Sequence, residues 1–417
     1  MPPLHLLDDA SWSSLRPLSW LRPVGELRVG LLTAAERWRR LGAAPAGHLT
    51  QAHLRTAFGA ALTDDNLVVN AAALPHDRGE WLARLGTGEG LLHGGRLLAA
   101  RLGRRDAEAL RGSSGDPAAV PHLRLREHGG GVSWLSRPHD LFRFNGEQLA
   151  RDIDLLAAGR ASAPVSPTNT VVGAHAVFLE PGAVCEASVL DARDGPLYLA
   201  AGAQVMPGCL LRGPLALGAH STFKMGAKVY GATTVGPHCK VGGEVQNVVF
   251  QGYANKGHDG YLGNAVVGRW CNLGADTNAS NLKNNYADVR TWDYGSGRFV
   301  DTGQQFCGLV MGDHAKCGIN TMFNTGTVVG TAANVFGAGF PRAFVPDFAW
   351  GGAGGFSTHR LDKALETAAR VMARRGLALA GHQRDALSHV FAQTAPHRRW
   401  EARSPADAPA PPTGTTP

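Results

Sequence analysis

The chain of 417 residues is sparing with charge, at 18% Asp, Glu, Lys and Arg, and with aromatics, at 7%. Its net charge is +7, yet no Lys/Arg block stands beside an aromatic stacking platform, so nucleic acid is not an expected partner. No apolar run reaches the ~18 residues that span a bilayer. The N-terminus, Met1 to His5, has no charged segment ahead of an apolar one. No membrane is therefore expected, and the chain reads as cytoplasmic. The six cysteines (Cys185, Cys209, Cys239, Cys271, Cys307 and Cys317) form no C-x-x-C and no Cys/His ligand spacing. That leaves them as small hydrophobic filler in a reducing compartment.

Glycine is abundant instead. Fifty-four glycines without a collagen period or low complexity imply many tight turns. The length allows two or three domains with full cores. A dispersed basic surface suits small polyanions such as nucleotides and coenzyme A.

Four regions separate by texture. Residues 1–160 read as mixed α/β, with a helix near Thr33–Leu41 and a strand at Asn66–Val69. Residues 165–345 are rich in glycine and β-formers. Residues 355–398 read as a C-terminal helical cap, with Leu361, Leu365, Ala368, Val371 and Met372 on one face of a helix over 360–395. Residues 401–417, rich in Pro, Ala and Thr, read as a disordered tail.

The middle region carries a period. Leu199, Val205, Leu211, Leu217, Phe223, Val229, Val235 and Val241 fall six apart without a break. Val172, Phe178, Val184 and Leu190 precede them; Val267 and Leu273, then Met311, Cys317, Phe323, Val329 and Val335, resume the interval. In a chain that is 44% apolar, such a run of eight arises by chance at roughly 0.1% for a given start. One inward apolar residue in six, with small residues at the corners, winds the chain in three flat faces per coil. The expected fold is a left-handed parallel β-helix of the hexapeptide-repeat type behind an α/β domain. Residues 247–264 and 282–308 interrupt the period and are expected to leave the coil, where a site is naturally placed.

The stretch from Lys256 to Ala275 carries His258, then Tyr261-Leu262-Gly263, then Asn272-Leu273-Gly274-Ala275, with Ser280-Asn281 following. Further on come Gly303 to Gly308, then Met311-Gly312-Asp313 and Gly318-Ile319-Asn320. These residues resemble the acetyltransferase domain of the bifunctional N-acetylglucosamine-1-phosphate uridylyltransferase/glucosamine-1-phosphate N-acetyltransferase family, in an archaeal-like or alternative bacterial branch. The resemblance implies His258 as general base with Asn281 beside it in catalysis. It implies Tyr261, Asn272, Lys228 and Lys256 as substrate contacts. Ala275, Ile319 and Gly337 would lie along the acetyl-CoA path. It also implies a homotrimer with sites between solenoids, and precursor synthesis for cell-envelope polysaccharide.

The chemistry suits these residue types. An amine must lose a proton to attack a thioester, and histidine's ordinary pKa fits it to take that proton. Backbone amides of the Gly274–Ala275 corner suit a developing oxyanion. The plainer readings stay open: a lone loop histidine is usually just solvated, and asparagines in solenoids often serve as left-handed corners. One departure from the family is Gln246, which replaces the phosphate-binding lysine expected two residues after Glu244. Arg212, Lys224, Lys228 and Lys240 are the candidates to replace that charge, and the acceptor could be another amino sugar.

The segment Leu15-Arg16-Pro17-Leu18 with Arg22-Pro23 is similar to the phosphate-binding segment of sugar-nucleotide pyrophosphorylases. The glycine-rich loop expected before it is missing, and Val24 stands where that segment has lysine. The resemblance implies Arg16 and Arg22 as nucleotide contacts and Asn145 as a Mg²⁺ position, with Asp8 or Asp9 as further candidates, while Ala72 occupies the usual carboxylate position. Two readings stay open, a degenerate structural domain and an active, divergent one. The leading expectation is acetyl-CoA-dependent N-acetylation of glucosamine 1-phosphate or a related amino-sugar phosphate. The alternative is a nucleotidylyltransferase forming a UDP- or dTDP-sugar with the β-helix as its oligomerisation scaffold; a solenoid without chemistry is the third.

Overall fold

The computed structural model describes residues 2–401, so the expected tail lies outside them but for Glu401. The N-terminal part is a six-stranded mixed sheet in the order Pro45–Leu49, Leu4–Leu7, Asn66–Asn70, Arg96–Leu102, Glu89–His93, Arg124–Glu127. Leu4–Leu7 runs parallel to both neighbours and is buried along its whole length, as is Asn66–Asn70. Burial on both faces requires cover on both. The helix Ala34–Arg40 supplies part of it and starts in a capping box, with Thr33 accepting from the Glu36 amide and Glu36 accepting from the Thr33 amide.

From Thr170 to Val345 the chain winds as a parallel β-solenoid. Leu199 registers with Leu217 and Leu217 with Val235, so a coil takes 18 residues. All eight residues of the unbroken run point inward and are buried, together with Met311, Cys317, Phe323, Val329 and Val335. Of the first run, Leu190 is in this core opposite Leu211, but the residues before it are out of register. Val172 and Val184 are exposed, and Leu179 and Cys185 take the inward places. The cause is spacing: five residues, not six, separate the inward Cys185 from Leu190, which puts Leu179 and Cys185 one place off the expected frame.

The first expected excursion is also corrected. Residues 244–250 and 261–267 form the longest strands of the solenoid and pair along their length. The period breaks because each strand turns a corner without leaving the sheet, bending at Asn247 (φ 53°) and Asn264 (φ 44°). Short polar side chains tolerate that left-handed conformation. The second excursion is present and contains the hairpin Arg290–Asp293/Arg298–Asp301.

The single C-terminal helix expected over 360–395 is two, Leu361–Ala373 and Gly381–Gln393, parted at Gly376 with φ 71°. Their buried faces join one core with Trp12 and Trp20 of the N-terminal part and Val266, Trp270 and Phe348 of the solenoid. Several pins fix the N-terminal part to the coils. Arg28 and Gln251 exchange two backbone–amide bonds of 2.7 and 2.9 Å, and Arg22 is ion-paired to Asp313. All six cysteines are buried free thiols. Among the described residues no helix is long and apolar enough to cross a membrane.

Candidate functional site at a solenoid corner

Val241 pairs with Lys256 and Glu244 with Tyr261. Two residues therefore turn the corner in one coil and four, Gly257 to Gly260, in the next. The longer corner pushes His258 into solvent. Lys256 lies underneath, 1% exposed, and its ammonium donates to the carbonyls of Gly242 (3.0 Å), His258 (2.8 Å) and Asp259 (3.4 Å). Burial pulls its pKa down to about 8. Lys256 was expected to touch substrate; its donors are spent on the corner instead, and it is the prop of the His258 turn.

The register continues from Lys256 through Leu273 and Cys317 to Val335. Two residues beyond each stand His258, Ala275, Ile319 and Gly337, stacked along one corner at the ~4.8 Å coil spacing. Among the described residues the Ala275 amide donates to no acceptor, while its carbonyl accepts from Asn320 at 2.8 Å. Ile319 is 72% exposed, and Phe336 and Phe340 are exposed nearby in the turn that holds Gly337 (φ 99°). Asn272 is exposed on the adjoining face between Asn255 and Lys316.

On the other side of the corner Tyr261 enters a polar relay. Its hydroxyl donates to Gln246 Oε1 (2.8 Å) and accepts from Asn281 Nδ2 (2.9 Å), which also donates to Asn264 Oδ1 (2.8 Å). Burial raises the Tyr261 pKa, keeping the hydroxyl protonated. Lys228, exposed, is on the same outward row as Glu244 and Tyr261. The relay borders a cleft of about 450 Å³ lined by Gln246, Asn247 and Asn264 of the solenoid, Phe306 of the excursion and Arg143 and Glu147 of the N-terminal part. Gln246, singled out at the expected phosphate position, does line this cleft, whereas Asn247 and Asn264 were missed as lining residues. The signal available was the 17-residue repeat of asparagine at 247 and 264, which marks a stacked corner.

The nucleotide and metal expectations are corrected by occupancy. Arg22 is buried and committed to Asp313. Arg16 donates to the carbonyls of Ser13 (2.7 Å) and Tyr294 (3.1 Å) and lies over the Trp20 ring at 4.7 Å. Asn145 is fully buried: its Oδ1 accepts from Gly30 N and Thr234 Oγ1, and its Nδ2 donates to Ala232 O. These three side chains join the N-terminal part to the solenoid and its second excursion, and the polar groups of Arg22 and Asn145 are spent there. Asp9 is held by Arg96 and Asn70, and Asp8 accepts from Thr50 and the Val24 amide. Among the described residues no cluster of His, Cys, Asp and Glu could hold a metal ion.

Residues 4–161 match the family described as sugar nucleotidyl transferase. The N-terminal sheet domain is accordingly of sugar nucleotidyltransferase type, and the β-solenoid follows it. No curated protein matches the chain. Among solved structures, the polySia specific acetyltransferase NeuO is similar at 12% identity over 51% of this chain and 99% of that chain, with a TM-score of 0.27. LpxA, a UDP-N-acetylglucosamine acyltransferase from Bacteroides fragilis, is similar at 14% identity over 58% and 93%, with a TM-score of 0.29. At these values neither likeness bears on the chemistry of this chain.

Proposed function

We propose that the solenoid corner transfers an acetyl group from acetyl-CoA to the amine of glucosamine 1-phosphate or a related amino-sugar phosphate. The supporting observation is the alignment of an exposed histidine, propped from below by Lys256, with the free Ala275 amide one coil away. His258 takes the proton from the amine. The Ala275 amide faces the carbonyl oxygen on which negative charge grows. Asn281 and Tyr261 are locked to each other at 2.9 Å, and the Asn281 amide oxygen is left to accept from a sugar hydroxyl. The exposed Ile319, Phe336 and Phe340 offer an apolar lane suited to the pantetheine arm, with Gly337 leaving room for it. Acetyl-CoA, when bound there, supplies the activated thioester. Lys228, on the same row as Tyr261, is the charge placed to meet a phosphate. The homotrimer belongs to the same proposal, and sedimentation equilibrium tests it.

Thiol release from acetyl-CoA with glucosamine 1-phosphate tests the reaction. His258→Ala is expected to lower kcat by 10²–10⁴-fold, the range of a general base. Activity that survives the substitution removes His258 from the mechanism; no thiol release with any amino-sugar phosphate removes the reaction. The match over residues 4–161 favours nucleotidyl transfer as the second reading. Mg²⁺-dependent pyrophosphate release from UTP or dTTP with a sugar 1-phosphate would establish it, against the engaged side chains of Arg16, Arg22 and Asn145.

A further inference from the structure

A second cavity, of about 90 Å³, lies where three parts of the chain meet. Its walls include Arg22 and His53 of the N-terminal domain, Arg269 and His314 from two solenoid coils, and His382 in the first turn of Gly381–Gln393. Three features of the wall lack a partner. The Arg269 guanidinium makes no hydrogen bond or ion pair among the described residues; Asp313, beside it, is committed to Arg22 and to the Arg269 backbone amide. The Nδ1 atom of His314, a residue only 8% exposed, has no partner. The 13-residue helix Gly381–Gln393 has no acidic residue in its first turn and no side-chain cap on its leading amides.

Each feature points to the same missing charge. An unpaired guanidinium at the wall of a cavity is free to give charge-assisted hydrogen bonds to an anion there. Helix N-termini present free N–H groups and the positive end of the backbone dipole. Arg269 keeps its charge at neutral pH, since burial brings its pKa down only to about 10. Among the lining side chains Arg22 and Asp313 cancel, which leaves Arg269 as the cation without a paired carboxylate.

We propose that this junction cavity binds one phosphoryl oxyanion, held by Arg269, the His314 imidazole and the leading amides of the C-terminal helix. The anion bridges the solenoid and the C-terminal helix, so its occupancy clamps the two together. The site is separate from the His258 corner and does not rest on acetyl transfer.

Titration calorimetry and thermal unfolding of the full chain test it, with inorganic phosphate as probe in chloride buffer of matched ionic strength. Saturable binding with a raised Tm is expected, and Arg269→Gln is expected to weaken it by about tenfold or more, the loss of a charge-assisted contact. His382→Asp supplies a carboxylate at the helix start. It is expected to raise the Tm without phosphate and to abolish the response to phosphate, which keeps the test open if the Arg269 variant folds poorly. Glucosamine 1-phosphate and UMP run in parallel distinguish the sources: tighter binding of either assigns a phosphate ester, and tighter binding of inorganic phosphate assigns the free ion. A phosphate response that is absent, unsaturable, or unchanged in both variants overturns the proposal.

Discussion

Replacing Lys256 with methionine isolates the prop beneath the His258 turn. Among the described residues the ammonium is the only donor to the carbonyls of Gly242 and His258, whereas Asp259 O also receives the Asp276 amide at 3.1 Å. Methionine fills similar space and leaves the buried Gly242 carbonyl and the part-buried His258 carbonyl unmatched, worth about 1–3 kcal/mol each at full burial. Local stability of the corner should therefore fall by about 2–6 kcal/mol, less whatever the removal of a desolvated charge returns. Hydrogen exchange reads this directly. The amides that close the corner, Gly242 to Lys256 O and Glu244 to Gly260 O, should exchange at least about thirtyfold faster, since 1.36 kcal/mol is a factor of ten. Acetyl transfer should drop with them, chiefly in kcat, because the displaced group is the proposed base and no acceptor contact is removed. The lysine also has a pH signature. Its folded pKa of about 8 lies below the ordinary 10.5, so between those values the unfolded chain holds more protons. Wild-type stability should rise with pH across that window, by up to about 3 kcal/mol from this group, and the methionine variant should lack the rise. Unchanged exchange at the corner together with unchanged turnover would refute the assignment of Lys256 as its prop.

Two further outcomes follow from buried charge. Asp313→Asn leaves Arg22 buried without its counter-ion and should cost about 3–5 kcal/mol, seen as a lower Tm, while a double replacement of both by apolar residues should recover most of it; an unaltered Tm in the single variant contradicts the ion pair as drawn. Asp8 is pushed up by burial to about 6 from 3.8, so the folded chain holds the extra proton between those values and stability falls as pH rises through them, by up to about 3 kcal/mol. Asp8→Asn should remove that fall, making the variant's Tm gain over wild type larger at pH 7.5 than at pH 4; an equal difference at both pH values counts against it.

The solenoid was legible because its core obeys a local rule. One residue in six faces inward whatever lies elsewhere, and Leu199 to Val241 need no knowledge of the rest of the chain. The reading slipped where spacing changed: the five-residue step from Cys185 to Leu190 moved the earlier inward set by one, and the Asn247 and Asn264 bends shortened the next coils into an apparent excursion. The stacking of His258, Ala275, Ile319 and Gly337 depends only on register, which is why residues singled out one by one share a corner. Arg16, Arg22 and Asn145 were misread for the opposite reason. Their partners lie 278, 291 and 87 residues away, and no local pattern distinguishes an arginine facing phosphate from one facing Asp313.

The pins between the N-terminal domain and successive coils give the solenoid a fixed length. A free stack of coils tolerates gain or loss of one repeat, because each repeat meets only its neighbours. Here Ala232, Gln251, Asp313 and Tyr294 are each matched to a partner in a rigid sheet domain. Inserting one 18-residue coil between Ala232 and Asp313 would carry the later contacts about 4.8 Å past their mates. The domain that has spent its arginines on docking thus acts as a ruler, and the number of coils is held constant by geometry outside the repeat itself.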